Sequence, residues 1–304
     1  MRIAFLGTPE FALPIVEACA RAGELVLVVA QPDKPVGRHQ ELQAPATKRW
    51  ALQHGVRVEQ PDKVKQGRLA AVLASARPDV AVVAAYGRIL PPDALAVPLH
   101  GSLNVHASLL PELRGAAPAQ WAVARQCRET GVTIMQMDEG LDTGDIRLQR
   151  KIAIAPDETG ESLLVKLGHL GAEALTEALD LLAQGRLPRI PQNHAKATLA
   201  PLLSREDGRV DWSRTAAELD ARRRGFTPWP GAWTTVDGAV LKIQSAKPVA
   251  GSGAPGELLQ GTTVACGEGT AWELLEVQPE GKKRMPAPAW LQGAHLKPGH
   301  RLGT

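Results

Sequence analysis

Three unbroken apolar runs constrain this chain more than any other feature. Ile3-Ala4-Phe5-Leu6-Gly7, Leu25-Val26-Leu27-Val28-Val29-Ala30 and Val80-Ala81-Val82-Val83-Ala84-Ala85 show no polar alternation. A strand reads that way only when both of its faces are buried, as in a parallel sheet covered by helices. Between the runs lie helix-period segments, Glu10 to about Ala22 and Lys65 to Ala76, the latter with Leu69, Val72 and Leu73 on one side. Strand, helix and strand in succession make a βαβ unit. Thr8 before Pro9 is the expected N-cap of the first helix. The loop after the first strand has one glycine and no G-x-G-x-x-G, which argues against a nicotinamide dinucleotide.

The remaining elements follow in order. Gln31-Pro32-Asp33-Lys34-Pro35-Val36-Gly37-Arg38 carries two prolines and a glycine and is expected as an exposed, irregular loop. Its cations Lys34 and Arg38, with Lys48 nearby, are placed to contact phosphates. A short strand at 56–58, a strand from Leu99 to His106, a helix from Ala119 to about Arg125 and strands at Val132–Asp138 and Ile146–Ile154 come next. Thr159 caps a long amphipathic helix reaching Gln184. Prolines 188, 191 and 201 then interrupt all periodicity. Beyond them are a short helix from Thr215 ending in Arg222-Arg223-Arg224 and short glycine-separated strands at 232–236, 240–247, 256–259, 262–265 and 272–277.

At 304 residues the chain exceeds one ordinary core. The expected architecture is α/β: a Rossmann-like, mostly parallel sheet with helices on both faces over 1–188, a linker over 189–207, and a small OB-like β-barrel over 208–304. No apolar run approaches the roughly 20 residues of a membrane helix. The N-terminus enters a strand directly rather than a signal peptide. Cys19, Cys127 and Cys266 are too dispersed for a disulfide framework. A cytoplasmic monomer with no membrane partner is expected. The net charge of +3 is uneven: residues 1–189 hold 21 Lys+Arg against 21 Asp+Glu, and residues 190–304 hold 14 against 11. An excess confined to the C-terminal third fits an anionic partner such as nucleic acid, or equally a solvated surface.

The chemistry concentrates between Gly101 and Ile146. Asn104 and His106 are two apart on a strand, so their side chains share a face. Asp142 follows at the end of another apolar run. No Ser or Cys nucleophile stands at motif spacing: Ser108 lacks a G-x-S-x-G elbow. None of the eight histidines pairs as H-x-H or H-x-x-x-H, so no metal site is expected. An amide, an imidazole and a carboxylate suit direct transfer in which the substrate is its own nucleophile. The amide and imidazole can donate to an oxyanion, and the carboxylate can relay a proton. The same residues also read as structural polar groups at a strand end.

Two stretches decide between these readings. Ser102-Leu103-Asn104-Val105-His106-Ala107-Ser108-Leu109-Leu110-Pro111, continued by Arg114-Gly115-Ala116-Ala117-Pro118, resembles the first motif of the folate-dependent formyltransferases. Gly131 to Gly144, ending Leu141-Asp142-Thr143-Gly144, resembles that family's second motif. Ile3 to Phe11, Gln31 to Arg38, Pro228-Trp229-Pro230-Gly231 and Gly281-Lys282-Lys283 fit as well, so the resemblance runs over nearly the whole chain. It implies transfer of a formyl group from 10-formyltetrahydrofolate to the α-amino group of methionine esterified to initiator tRNA. Asn104, His106 and Asp142 then take the catalytic positions. Ser108, Leu109, Leu110 and Pro111 match the folate-contacting loop, with Ile89 and Leu90 near the pterin. Arg38 matches a residue of the tRNA-contacting insertion, and Lys34, Arg222, Arg223, Arg224, Lys282 and Lys283 are the other expected tRNA contacts.

Three positions depart from the family pattern: His39-Gln40-Glu41 where lysines are common, Leu202 where many relatives carry lysine, and Arg147 in place of an aliphatic residue. None touches the trio. Within the family, glycinamide ribonucleotide enzymes lack a domain like 208–304. Sugar-nucleotide N-formyltransferases share the two-domain layout and form the alternative.

Overall fold

The computed structural model describes residues 1–36 and 40–303. In chain order these form β1 (Arg2–Gly7), α1 (Leu13–Ala22), β2 (Glu24–Val29), β3 (Lys34–Val36), β4 (Glu41–Gln43), α2 (Ala46–Gln53), β5 (Val58–Glu59), α3 (Arg68–Ala76), β6 (Val80–Ala84), α4 (Pro92–Leu95), β7 (Ser102–His106), α5 (Pro118–Ala124), β8 (Glu129–Gln136), β9 (Ile146–Ala153) and α6 (Gly160–Ala183). After these come α7 (Ala216–Gly225), β10 (Ala232–Val236), β11 (Ala239–Ala250), β12 (Thr263–Ala265), β13 (Thr270–Pro279), β14 (Met285–Pro286) and α8 (Ala287–Ala294).

The large sheet has the order β5-β2-β1-β6-β7-β8-β9. Pairings from β5 through β7 are parallel, and β8 and β9 add two antiparallel strands. The apolar runs take the central places, where every residue of β6 and Ile3 to Leu6 of β1 are buried. Period-two geometry assigns their faces. Ala4, Leu6, Leu27, Val29, Ala81 and Val83 pack with Leu69 and Leu73 of α3 in one cluster. On β7, Val105 faces Gly171 of α6, whose own neighbour is Ile15 of α1. Helices on both faces are therefore what the unalternated runs demanded.

The sheet positions the site through its end. Parallel strands deliver their carboxyl ends to one edge, where ligands of open α/β sheets sit. His106 is the last residue of β7. β8 runs back along β7 with His106 opposite Thr133 and Leu103 opposite Gln136.

The chain divides into two compact units. One comprises residues 1–118, 129–153 and 164–201; the other 119–128, 154–163 and 202–304. The second unit contains the antiparallel path β10-β11-β13-β12, with β14 beside β13. Its core gathers Trp212, Leu219, Leu241, Ile243, Val264, Trp272, Leu274 and Val277, and the Trp212 and Trp272 rings meet edge to face at 6.1 Å between centroids. Thr215 opens α7 with a capping box: its hydroxyl accepts from the Glu218 backbone and the Glu218 carboxylate accepts from the Thr215 backbone. The expected strand at 256–259 contributes only bridges, Leu258 to Val264 and Glu257 to Arg301.

Three expectations need correction. Thr8 does not cap the first helix; its hydroxyl donates to the Tyr86 carbonyl at 3.3 Å, and a 3-10 turn at Glu10–Ala12 precedes α1. Within the stretch expected to be irregular, Lys34–Val36 forms a strand, β3, paired antiparallel with β4, with Lys34 opposite Gln43 and Pro35 opposite Leu42. Residues 189–201 are not a free connector, because they belong to the first unit and line its site.

Candidate active site

His106 is buried between two acceptors. Its Nδ1 lies 3.6 Å from Asp142 Oδ2, and its Nε2 lies 3.0 Å from the Leu113 carbonyl. A carbonyl oxygen can only accept, so Nε2 carries the proton that bonds Leu113. Asp142 Oδ2 also accepts from the Gly115 backbone N–H at 2.8 Å. Asn104, half-buried two residues before His106 on the same face of β7, makes no side-chain hydrogen bond among the described residues. Its amide is thus an uncommitted donor beside a held imidazole.

Asp142 does not arrive by the shortest route. β8 ends at Gln136, opposite Leu103, three residues back from His106 along β7. At roughly 3.3 Å per strand residue the following loop must return about 10 Å over the sheet to reach the imidazole. Local chemistry makes the return. Asp138 accepts from the Gly140 N–H and the Thr143 hydroxyl. Asp142 itself adopts φ +52°, a left-handed conformation in which Asp is tolerated better than most residues. Gly144 passes so close to β8 that a Cβ there would lie 1.8 Å from the Gln136 carbonyl oxygen.

The stretch 187–201 closes around this loop. Arg147 donates to the Pro188 and Leu187 carbonyls and to Gln136 Oε1, and burial together with the nearby Arg189 charge lowers its guanidinium pKa. Arg189 pairs with Asp145, and Ile146 bridges Ile190. Gln192 donates to the Asp142 and Gly144 carbonyls. Further on, Thr198 Oγ1 accepts from the Leu113 N–H, the Arg114 N–H donates to the Thr198 carbonyl, and the Ala200 N–H donates to the Arg114 carbonyl. Gly115 is confined by this pairing, since a Cβ there would meet the Ala200 carbonyl at 2.7 Å, and its φ is +119°.

The loop after His106 hangs on one buried hydroxyl. Thr133 Oγ1 donates to the Ser108 carbonyl at 2.7 Å and accepts from the Leu110 N–H at 3.0 Å and from Gln149 Nε2 at 2.9 Å. Ser108 Oγ donates to the Glu112 carbonyl at 2.6 Å. Ser108 and Leu110 are buried, while Leu109 and Pro111 are half-buried. Of the other expected folate contacts, Ile89 is 76% exposed and Leu90 is packed in the cluster beneath the sheet with Tyr86 and Leu6.

The expected tRNA contacts separate into two groups. Lys34 on β3 and Lys282 and Lys283 in the β13–β14 turn are exposed. Arg38 lies outside the described residues. The three arginines of α7 are engaged within their own unit. Arg223 and Arg224 both pair with Asp220, at 2.8 and 2.9 Å. Arg222 donates to the Asp207 carbonyl and lies over the Trp121 and Phe226 rings. Burial lowers the Arg222 pKa. Sequence reasoning passed over Gln149, Thr133 and Gln192; a polar residue amid an apolar or proline-broken run is the signal that could have found them.

Among the described residues no three His, Cys, Asp or Glu side chains gather as a metal site, and no helix is long and apolar enough to cross a membrane.

A family model described as "Formyl transferase" matches residues 1–179, and one described as "Formyl transferase, C-terminal domain" matches residues 202–295. A methionyl-tRNA formyltransferase of Anaeromyxobacter dehalogenans (strain 2CP-1 / ATCC BAA-258) is 55% identical over 313 residues, covering 100% of both chains. Among solved structures, an N-formyltransferase from Helicobacter canadensis in complex with folinic acid and dTDP-3-aminofucose superposes with a TM-score of 0.66 at 15% identity, over 91% of this chain and 98% of that one. HypX from Aquifex aeolicus in complex with tetrahydrofolic acid superposes with a TM-score of 0.61 at 20% identity, covering 96% of this chain and 47% of HypX. This chain thus spans about half the length of HypX, and at such identities both likenesses concern the fold.

Proposed function

This chain belongs to the formyl transferase family, and from that premise we propose that it transfers the formyl group of 10-formyltetrahydrofolate to the α-amino group of methionyl-initiator-tRNA. The single observation that carries the choice of acceptor is the 55% identity to a methionyl-tRNA formyltransferase over 100% of both chains.

The geometry supports the following roles. Attack of a neutral amine on the formyl carbon turns the formyl oxygen into an oxyanion. Asn104 supplies an amide donor that nothing else occupies, and His106 supplies Nε2–H, now held at the Leu113 carbonyl. Asp142 keeps the imidazole oriented from its Nδ1 side. Asp142 Oδ2 is taken by the Gly115 N–H and faces His106, so Oδ1 is the oxygen left to accept the proton that the attacking amine must shed. The proton then passes to the folate nitrogen that leaves, which balances the exchange with no covalent enzyme intermediate.

Ser108, Leu109, Leu110 and Pro111 form the folate loop, with Ile89 presenting its exposed side chain to the pterin and Leu90 supporting it from the core. Lys34, Lys282 and Lys283 are the cations available to tRNA phosphates, together with Arg38. Arg222, Arg223 and Arg224 serve the fold of their unit instead. Residues beyond 207 act as the tRNA-binding domain, and the protein works in the cytoplasm as a monomer.

The test offers purified protein 10-formyltetrahydrofolate with either methionyl-tRNA or a 4-amino sugar nucleotide. Formyl-methionyl-tRNA with no formylated sugar is expected. Turnover of the sugar alone would overturn the choice of acceptor.

A further inference from the structure

Gln192 is a polar side chain, 6% exposed, in a stretch without regular structure. All of its strong hydrogen-bonding groups converge on the two loops that hold Asp142. Its Nε2 donates to the Asp142 carbonyl at 2.9 Å and to the Gly144 carbonyl at 2.6 Å. Its Oε1 accepts from Arg114 Nη2 at 2.6 Å. The amide orientation is unambiguous, because carbonyls only accept and a guanidinium only donates. Arg114, itself 7% exposed, has no carboxylate partner among the described residues; its Nη2 turns instead to Gln192 and to His194 Nδ1 at 2.9 Å. The next residue, Gly115, gives its N–H to Asp142 Oδ2.

We propose that Gln192 is a positioning residue for Asp142, joining the loop that carries the carboxylate to the loop whose Gly115 N–H binds it. The inference rests on the role proposed for Asp142. Asp142 is a non-glycine residue in the left-handed region, and such a conformation persists only where its surroundings over-determine it. Two of the bonds that do so come from one amide located fifty residues along the chain. Removing them frees the backbone on both sides of Thr143, and the carboxylate then leaves the 3.6 Å approach to His106.

Two variants of the full-length chain separate positioning from folding. Gln192→Glu keeps an oxygen acceptor for Arg114 and removes both donated bonds; Gln192→Met removes all three at similar size. Each is expected to lower kcat about 100-fold, the scale of an ångström-sized misplacement, while KM for both substrates stays within about twofold. Gln192→Glu, in which Arg114 keeps an acceptor, loses less of the thermal midpoint than Gln192→Met. A second readout is independent of turnover: amide hydrogen exchange at Gly115 speeds up about tenfold or more in both variants as its acceptor becomes mobile. Unchanged kcat in Gln192→Glu, or a loss carried entirely by KM, overturns the inference, as does unchanged exchange at Gly115. If wild-type protein makes no formyl-methionyl-tRNA but Gly115 exchange still responds, the proposed reaction has failed and the positioning has not.

Discussion

Replacing Thr133 by valine tests how the loop after His106 is held. The two side chains have nearly the same shape, so no cavity opens at this fully buried site, and the change is confined to one hydroxyl. That hydroxyl makes three bonds: to the Ser108 carbonyl, from the Leu110 N–H and from Gln149 Nε2. Gln149 is half-buried and retains the Leu110 carbonyl at 2.9 Å, so it is not orphaned. The Ser108 carbonyl and the Leu110 N–H are. A buried polar group left unsatisfied costs about 1–3 kcal/mol, and partial relaxation of the loop brings the pair to roughly 2–4 kcal/mol. At about 2–4 °C per kcal/mol for a unit of this size, the thermal midpoint falls by roughly 4–16 °C. Because the released residues flank Leu109, KM for 10-formyltetrahydrofolate rises while KM for methionyl-tRNA does not. Thr133→Ser is the control: it keeps the hydroxyl and loses one methyl, at about 0.5–1.5 kcal/mol. Calorimetry with steady-state kinetics on both variants decides the matter. A valine variant within about 0.5 kcal/mol of wild type, or a serine variant less stable than the valine one, refutes the reasoning.

Gly144→Ala forces a Cβ onto the Gln136 carbonyl and is expected to destabilise by about 1–3 kcal/mol and to lower kcat, both read from a urea titration and a turnover assay. In the second unit, hydrogen bonds from Thr215 hold the Glu218 carboxyl below its ordinary value. A depressed carboxylate contributes stability that is present above its unfolded pKa, near 4.5, and lost as pH falls through the folded value. Urea midpoints between pH 6 and pH 3 should therefore fall less steeply in Glu218→Gln than in wild type. Reversing Lys282 and Lys283 to glutamate should raise KM for methionyl-tRNA and reduce the slope of log affinity against log salt by up to about 2, leaving KM for folate alone.

Much of the fold was legible because its determinants are local. An unalternated run such as Val80–Ala84 has one stable environment, and Thr159, whose hydroxyl accepts from the Ser162 N–H at 3.0 Å, caps its helix from three residues away. The shared face of Asn104 and His106 is likewise a property of strand geometry. What escaped depends on distant partners. Residues 187–201 have no periodicity because their order comes from bonds to 110–117 and 142–147, which lie 40 or more residues back. Gln192 and Arg147 look like ordinary surface polar residues until those loops are in place. The run Arg222-Arg223-Arg224 advertised a charge that sequence could only read as outward; Asp220, Trp121 and Phe226 turn it inward. Thr8 had the composition of a helix cap, and the neighbouring Tyr86 carbonyl took its hydroxyl instead.

The most direct test of the account is a pair of substitutions at its centre. His106→Ala and Asp142→Asn, each assayed with 10-formyltetrahydrofolate and methionyl-tRNA, should lose at least about 100-fold in kcat. Both variants should bind tetrahydrofolate and tRNA with near wild-type affinity, because neither side chain belongs to the folate loop or the exposed lysines. Retention of most of kcat in either variant would contradict the assignment of His106 and Asp142 to the reaction.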